Sequence, residues 1–341
     1  MRSCSASSWE FCHAILPRVS RTFALTIPIL PEIVRDSVCV AYLLCRIADT
    51  VEDREDIDGA LREILLYSLR GLVDNSPVRR DDVADFVKRW PAGGDRQYGA
   101  LLHHTQDVVT AFDSLPVDYQ LPIKRCLREM IGGMLATGAP CLVNGDVAYF
   151  CSDLEKLERY CHYVAGTVGL MLTRIFLTYL ETRSHGPGRF ACDRRLEHGR
   201  RFGLGLQLTN ILKDVTIDRS RGVSYLPPGW CDLHGIIRPE ARSRIIHRTL
   251  GHLDVALEYT LTVPVEAEGI RLFCLWCLWM AVSTLRAAAA VQGVSQAKIS
   301  RLEVQRIVEF SRTHVHEEEK LREYHGALRQ QTTDLIMAAR G

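Results

Sequence analysis

The chain has 341 residues, of which 47% are hydrophobic and 24% charged; this composition is typical of a globular protein and excludes a disordered chain. Its formal net charge of +1 gives no electrostatic reason to expect a nucleic-acid partner. The twelve cysteines are irregularly spaced and lie mostly in apolar runs, so they predict buried free thiols in a reducing, cytoplasmic compartment. Cys274 and Cys277 form one CxxC without a second pair, which does not predict a zinc site.

Apolar residues recur with a helical period along most of the chain and predict an all-α protein. The predicted helices cover residues 36–53, 57–72, 98–113, 120–138, 153–182, 199–218, 239–262, 265–292 and 302–339. Glycine, proline and asparagine clusters separate them. Residues 143–146 could form a hairpin turn, but a lone two-stranded ribbon is marginal, so we interpret them as a helix–helix loop. We find no repeat and no linker, and we expect a single domain over residues 1–341.

Membrane contact is expected to be peripheral at most. The apolar run at residues 272–285 is shorter than the roughly 20 residues that a spanning helix needs, and it predicts a buried helix. The N-terminal residues contain no apolar stretch typical of a signal peptide, and the last residues contain no second apolar anchor. We therefore expect a soluble or peripherally membrane-associated protein.

The segment CRIADTVED at residues 45–53 places charges at the end of an otherwise apolar helix. Arg46, Asp49 and Asp53 stand at positions i, i+3 and i+7 and share one helical face, with Glu52 on its flank. Charges cost free energy in apolar surroundings unless something pairs with them. Either the helix emerges into water here, or a cation and an anion bind at this position.

A second polar stripe lies on the predicted helix 199–218, where Gln207, Asn210, Asp214 and Asp218 share a face at i, i+3, i+7 and i+11. Carboxylate and amide oxygens suit Mg²⁺, which proteins hold through a few carboxylates together with substrate phosphates. One such motif alone usually marks a solvated helix face with intrahelical ion pairs. Two motifs, each embedded in an apolar helix, favour instead a metal site that binds a diphosphate.

Four sequence blocks together resemble the squalene/phytoene synthases. They are SRTF at residues 20–23, DTVED at 49–53 preceded by Tyr42 and Arg46, YCHYVAGTVG at 160–169 and QLTNILKD at 207–214. The blocks follow the order found in that family. The resemblance implies a head-to-head prenyl synthase with the all-α isoprenoid synthase fold and a motif-bearing core over about residues 16–292.

The same resemblance implies roles for individual residues. The implied metal ligands are Asp49, Glu52, Asp53, Asn210, Asp214 and Asp218. The implied contacts to the substrate's diphosphate are Ser20, Arg21, Arg46, Gln207 and Lys213. Arg219 and Arg221 lie near Val223 as substitutes for a phosphate-binding arginine, and Tyr225 matches a recurring tyrosine of the substrate-binding site. The implied aromatic wall around the prenyl chains comprises Phe23, Tyr42, Tyr160 and Phe273. Tyr160 matches a tyrosine that serves the first half-reaction, by helping proton removal or by steering the carbocation.

Several other residues receive a structural interpretation or depart from the family pattern. Trp276 and Trp279 are expected to pack in the core, and His162 is expected to be structural. Ile217 stands where relatives carry a second-motif glutamate, and Val223 stands where they often carry a phosphate-binding arginine. These two departures leave the implied metal ligands intact and bear on the affinity of the second half of the site.

The implied reaction is the condensation of two farnesyl diphosphates through presqualene diphosphate to squalene, with Mg²⁺ or Mn²⁺ as the metal and NADPH as the reductant. Alternatives within the family are phytoene synthesis from two geranylgeranyl diphosphates and a reaction that stops at presqualene diphosphate or hydroxysqualene. No GxGxxG motif follows a predicted strand, so the sequence does not locate NADPH. Two alternatives belong to other functional classes. One is a non-catalytic prenyl-diphosphate binding protein, and the other is a helical scaffold with two solvated acidic faces.

Overall fold

Helices dominate the computed structural model, which describes residues 2–54, 56–75, 77, 79–91, 93, 95–137, 141–142, 147–183, 193–232, 236–290 and 297–338. The all-α prediction is confirmed. Backbone contacts divide the chain into two compact units. The first comprises Met1–Ala136 and Met171–Phe190, and the second comprises Thr137–Leu170 and Ala191–Gly341. The expected single domain stays a prediction.

The first unit is a set of helices around α3. Its elements are α1 (Arg2–Val19), α2 (Thr22–Thr26), a 3₁₀ turn (Ile27–Ile29), α3 (Glu32–Glu52), α4 (Gly59–Asp74), α5 (Arg80–Arg89), α6 (Arg96–His103), α7 (Thr105–Asp113) and nearly all of α8 (Val117–Thr137). Helix α3 packs against α1, α4 and α7. Its Leu43, Leu44 and Ile47 are fully buried, which fixes the polar face of the same helix.

The second unit combines long helices with a small sheet. Its elements are β1 (Cys141–Leu142), β2 (Ala148–Tyr149), α9 (Leu154–Cys161), a π-helical turn (His162–Gly166), the start of α10 (Thr167–Arg183), α11 (Asp193–Ser220), β3 (Val223–Ser224), α12 (Pro239–Leu261), α13 (Glu268–Ala290), α14 (Arg301–His314) and α15 (Glu318–Ala338). Helix α11 packs against α12, α13 and the π-helical turn.

We interpreted residues 143–146 as a helix–helix loop, but the residues on either side of them form β-strands. Strands β1 and β2 flank these residues and pair antiparallel, and β3 adds to β2 in parallel. The turn itself lies outside the described residues. A third strand from far along the chain makes a ribbon stable that would be marginal alone, and such a distant partner has no local sequence signal.

Several helix predictions were incomplete. The predicted helix 98–113 breaks at His104 into α6 and α7, and the predicted helix 302–339 breaks into α14 and α15. Helices α1 and α5 were not predicted. Helix α5 buries only Val83 and Phe86, so its apolar signal is weak. The end of the predicted helix 265–292 lies outside the described residues.

Glycines allow α11 to lie unusually close to the π-helical turn and α10. A Cβ placed on Gly169 would lie 2.0 Å from the carbonyl oxygen of Gly199, and one on Gly203 would lie 2.1 Å from that of Ala165. Real Cβ atoms do not approach backbone oxygens so closely. The two crossings therefore require glycine, and they fix α11 against the π-helical turn and the first residues of α10.

Two described helices are long and apolar enough to cross a membrane by length and composition, Leu154–Arg183 and Glu268–Ala290. Of their most apolar windows, 44% and 78% respectively are buried inside the protein. Core helices pass the same test when they are mostly buried, and α13 is such a helix. Its Trp276 and Trp279 are buried, as predicted, and so are its Cys274 and Cys277, neither of which forms a disulfide.

Candidate active site

Three carboxylates crowd the C-terminal end of α3 in the first unit. Asp49 and Glu52 lie in its last turn, and Asp53 caps it by donating its backbone N–H to the carbonyl of Asp49 at 2.8 Å. The last turn contains no basic residue. Because the C-terminal end of a helix carries partial negative charge, acidic groups there are unfavourable until a cation joins them.

The pKa values at this helix end are raised, which also indicates that negative charge is unfavourable there. Burial raises the pKa of Asp49 to about 6; Arg46 opposes the rise and Asp53 adds to it. Burial, together with Asp53 and Asp49, holds the pKa of Glu52 well above its usual range. The side chain of Asp49 nevertheless retains 29% of its exposure. Carboxylates that repel one another in a partly desolvated yet accessible position are a donor set that fits a divalent cation.

Arg46 lies beside these carboxylates in an aromatic setting. A guanidinium nitrogen is 3.6 Å from a carboxylate oxygen of Asp49, and the Nε donates to the hydroxyl of Tyr42 at 3.3 Å. The guanidinium carbon lies 5.6 Å from the centre of the Tyr42 ring and 5.8 Å from that of Tyr98. The sequence analysis missed Tyr98, which carries no motif. An arginine held in this way keeps its forked donors available to a phosphate.

The SRTF block packs against the same tyrosine. The hydroxyl of Ser20 accepts a hydrogen bond from the backbone of Phe23 at 3.0 Å, and the ring of Phe23 lies 5.1 Å from that of Tyr42. Tyr42 in turn donates its hydroxyl to the carbonyl of Val19 at 2.9 Å. Arg21 is exposed. The first unit thus brings together Ser20, Phe23, Tyr42, Arg46 and the acidic end of α3.

Arg54, directly after the acidic motif, is a residue that sequence reasoning missed. Its guanidinium stacks 4.8 Å from the ring of Trp90 and donates to the carbonyl of Gly93 at 3.1 Å and to Asp56 at 2.7 Å. Gly93 has φ of +106°, a left-handed conformation that favours glycine. These contacts fix the backbone immediately beyond Asp53. They join residues that lie far apart in the chain, so no local pattern predicts them.

In the second unit, Lys213 lies beside the polar stripe of α11. The ammonium of Lys213 is 3.1 Å from a carboxylate oxygen of Asp214 and 3.3 Å from the side-chain oxygen of Asn210. Asn210 is exposed, and Gln207 and Asp218 are half-buried. The opposite face of α11 is buried through Leu208, Ile211, Leu212 and Val215. The polar stripe therefore lies on a face of α11 that solvent and ligands can reach.

The basic residues after this stripe differ in their surroundings. Arg221 is exposed, and its backbone N–H donates to the carbonyl of Asp218 at 3.0 Å. Arg219 is half-buried beside Cys231, where burial raises the pKa of the thiol and the guanidinium lowers it, the net change being upward. Ile217 and Val223, the two departures from the family pattern, are half-buried.

Tyr160 and Tyr225, both predicted site residues, meet in an aromatic cluster of the second unit. Their ring centres are 5.1 Å apart, and Phe150 stacks on Tyr225 at 4.7 Å. Tyr160 is 6% exposed. Phe273 is buried on α13, and His162 begins the π-helical turn after Tyr160. The roles assigned to these residues stay predictions.

The acidic residues fit a metal ion that is bound partly by the protein and partly by a phosphate ligand. Among the described residues, no three side chains of histidine, cysteine, aspartate or glutamate form a group able to hold a metal ion by themselves. Mg²⁺ commonly binds through one or two carboxylates, with phosphate oxygens and water supplying the other ligands. Each acidic motif offers that kind of donor set within its own unit.

Comparisons with known proteins identify the family of this chain. The sequence model of the family described as squalene/phytoene synthase matches residues 16–307. The chain is 33% identical to squalene synthase from Solanum lycopersicum over 296 residues, which are 81% of this chain and 64% of that protein. It is 32% identical to squalene synthase from Nicotiana benthamiana over 215 residues, 62% of this chain and 44% of that protein. The chain thus spans less than two thirds of the length of these curated relatives.

A solved structure supports the fold. The structure of TcSQS with the ligand BPH1237 superposes with a TM-score of 0.76 at 24% identity, and the match covers 97% of this chain and 99% of that chain. The family match extends over most of the sequence and includes all four motif blocks. The chain belongs to the squalene/phytoene synthase family.

Proposed function

We propose that this protein is a Mg²⁺-dependent prenyltransferase that condenses two farnesyl diphosphates through presqualene diphosphate to squalene, with NADPH as reductant. The observation that carries the proposal is the crowding of Asp49, Glu52 and Asp53 at the C-terminal end of α3 beside Arg46. Crowded carboxylates next to a guanidinium match a ligand that combines a divalent cation with an anion. The relatives named squalene synthase supply the choice of substrate.

The residues divide the binding of the diphosphate between metal ligation and direct contact. The proposed metal ligands are Asp49, Glu52, Asp53, Asn210, Asp214 and Asp218. When bound, Mg²⁺ supplies positive charge that stabilises the departing diphosphate. The proposed direct contacts to its oxygens are Ser20, Arg21, Arg46, Gln207, Lys213, Arg219 and Arg221. Arginine grips phosphate oxygens with forked hydrogen bonds, and lysine adds a point charge.

The aromatic residues serve the carbocation that ionisation leaves behind. An allylic cation must be kept from water, and ring faces attract positive charge. Phe23, Tyr42, Tyr160, Tyr225 and Phe273 are the side chains that we assign to this task. Tyr160 assists removal of the proton whose loss closes the cyclopropane, or it steers the cation. We assign no residues to NADPH.

We also propose a cytoplasmic protein that is soluble or peripherally attached to a membrane and binds no nucleic acid. The net charge of +1 gives no electrostatic reason to expect a polyanionic partner. The prenyl tails of the substrates partition into bilayers, so peripheral contact would shorten their transfer. Sedimentation with vesicles, compared with buffer alone, tests this part of the proposal.

Product analysis tests the reaction. The protein is incubated with farnesyl diphosphate and Mg²⁺, with and without NADPH, and the lipids are identified by mass spectrometry. Squalene that appears only with NADPH supports the full proposal. Presqualene diphosphate or hydroxysqualene in both samples means that the reductive half is lacking. A C40 hydrocarbon from geranylgeranyl diphosphate alone means phytoene synthesis, and binding without any product means a non-catalytic prenyl-diphosphate binding protein.

A further inference from the structure

Three aromatic rings from separate parts of the second unit form one cluster. Phe150 and Tyr225 stack with ring centres 4.7 Å apart and planes 7° from parallel. Tyr160 lies 5.1 Å from Tyr225 and 6.3 Å from Phe150, with planes tilted by 27° and 28°. Ring pairs at such distances attract one another beyond simple burial of area. Phe150 is the member of this cluster that belongs to no motif.

The small sheet fixes Phe150 and Tyr225 side by side. Phe150 follows β2 and Tyr225 follows β3, and the two strands pair in parallel, with Tyr149 opposite Ser224. The backbone N–H of Phe150 donates to the carbonyl of Ser224 at 3.0 Å. The position of the phenylalanine ring is therefore set by the backbone and does not depend on side-chain packing alone.

The same sheet connects the cluster to the polar stripe of α11. The N–H of Ala148 donates to the carbonyl of Gly222 at 2.7 Å, and the N–H of Gly222 donates to the carbonyl of Arg219 at 2.9 Å. Gly222 has φ of +75°, the left-handed conformation that lets the chain turn from α11 into β3. Asp218 and Tyr160 are thus joined through a short path of backbone hydrogen bonds and stacked rings.

We propose that Phe150 is a positioning residue that holds the ring of Tyr160 in its reactive orientation; this inference rests on the proposed function. Tyr160 is 6% exposed, so neighbouring side chains determine where its ring lies. Phe150 and Tyr225 supply two nearly parallel faces against it. A misplacement of about 1 Å in a reacting group is enough to lower a rate by about 100-fold. Leucine at position 150 would keep the apolar volume and lose the flat face.

A second aromatic cluster in the same unit provides a matched control. Phe310 stacks on Tyr324 with ring centres 4.2 Å apart and lies 5.8 Å from Trp279. Phe310 and Phe150 are both half-buried. Phe310 lies beyond the family match, which ends at residue 307, and it contacts no predicted site residue in its cluster. Phe310→Leu therefore removes a comparable stack away from the site.

The test compares Phe150→Leu, Phe150→Tyr and Phe310→Leu in kcat, KM for farnesyl diphosphate, melting temperature and near-ultraviolet circular dichroism. We expect Phe150→Leu to lower kcat by about 10- to 100-fold, with KM changed by less than about twofold, since the diphosphate contacts remain. Phe150→Tyr keeps the ring and should retain most of kcat. Phe310→Leu should lower the melting temperature and leave kcat near that of the wild type.

Three results would overturn the proposal. Phe150→Leu could retain its kcat, or Phe310→Leu could lose as much of it, or the tyrosine dichroism could be the same in Phe150→Leu and the wild type. Failure of the proposed function gives a different pattern, because the wild type itself then forms no product from farnesyl diphosphate. In that case the positioning role falls together with the function on which it rests.

Discussion

The two acidic motifs solve the same electrostatic problem in different ways. On α3, Asp49, Glu52 and Asp53 gather at the negative end of a helix, and burial raises the pKa of Asp49 to about 6. On α11, Asp214 has the ammonium of Lys213 at 3.1 Å. On α3, Arg46 lies 3.6 Å from Asp49, but the cost of burial outweighs this contact, so the charged form of Asp49 stays unfavourable before a metal binds. On α11, the ammonium of Lys213 partly offsets the charge of Asp214. Similar sequence spacing of carboxylates therefore does not imply a similar electrostatic cost before a metal binds.

The segments that follow the two motifs differ as well. After α3, the side chain of Arg54 fixes the chain through Trp90 and the carbonyl of Gly93. After α11, backbone pairing in the small sheet does the same through Gly222 and β3. One motif therefore depends on a single side chain, and the other depends on backbone hydrogen bonds, which truncation of a side chain leaves in place.

The largest expected effect is on turnover and would test whether both motifs serve one reaction. Asp49→Asn and Asp214→Asn should each lower kcat by about 10²- to 10³-fold, because each removes one charged group from the stabilisation of the leaving diphosphate. The measurement is steady-state product formation from farnesyl diphosphate with Mg²⁺. Asp85→Asn, at an exposed position of α5, is the control and should behave as the wild type. If either site variant retains most of its activity, that motif does not hold the metal.

An intermediate effect is expected from Arg54, the side chain on which the first motif depends. Arg54→Ala removes the stack on Trp90 and the bond to Gly93, so Asp53 loses its fixed surroundings. The Mg²⁺ concentration for half-maximal activity should rise about tenfold, the usual size of effect for a residue that orients metal ligands. Arg70→Ala breaks only the surface pair with Asp74 and is the control. An unchanged Mg²⁺ dependence in Arg54→Ala would leave Arg54 a purely structural residue.

A smaller effect is expected on thermal stability in the absence of metal, and it should differ between the two motifs. Burial raises the pKa of Asp49 from 3.8 to about 6, so the fold loses stability as the pH rises between these two values, and the loss is complete at neutral pH. Asp49→Asn carries no charge and should raise the melting temperature in chelator at neutral pH by about 1–3 °C, a gain of roughly 1 kcal/mol. Asp214→Asn loses its contact with Lys213 and should not gain stability. Equal shifts in the two variants would remove the contrast between the motifs.

Local patterns predicted much of this molecule, and contacts between distant residues were the part that they missed. Apolar periodicity located α3 and α11, because each helix buries one face and leaves its polar stripe outside. Phe23 and Tyr42 were each named from motif positions, but the packing of their rings on each other was not predicted. The parallel pairing of β2 with β3 joins residues far apart in the chain, and strands of two residues carry no periodic signal. For the same reason Tyr98, Arg54 and Phe150 became visible only in the folded chain.

The smallest effect concerns Glu158 on α9, a carboxylate in the opposite situation to Asp49. Burial alone would raise the pKa of Glu158, but the hydrogen bonds from Arg248, with the charges of Arg248 and of the nearby His252, lower it from 4.5 to about 2. A lowered carboxyl pKa stabilises the fold above the unfolded value, and this stability is lost as the pH falls through 4.5 toward 2.

Glu158→Gln has no carboxylate and therefore cannot lose this contribution. As the pH falls from 4.5 to about 2, the wild type should lose about 1 kcal/mol more stability than the variant. This figure allows for solvent screening of the half-exposed Arg248. Melting temperature against pH measures the difference. Glu155→Gln, which alters only the exposed pair with Arg159, should follow the wild type. Parallel curves for wild type and Glu158→Gln would contradict the assignment. Steeper acid loss in the wild type would show that a half-buried carboxylate hydrogen-bonded to an arginine stabilises the fold when charged, whereas the charged form of Asp49 destabilises it.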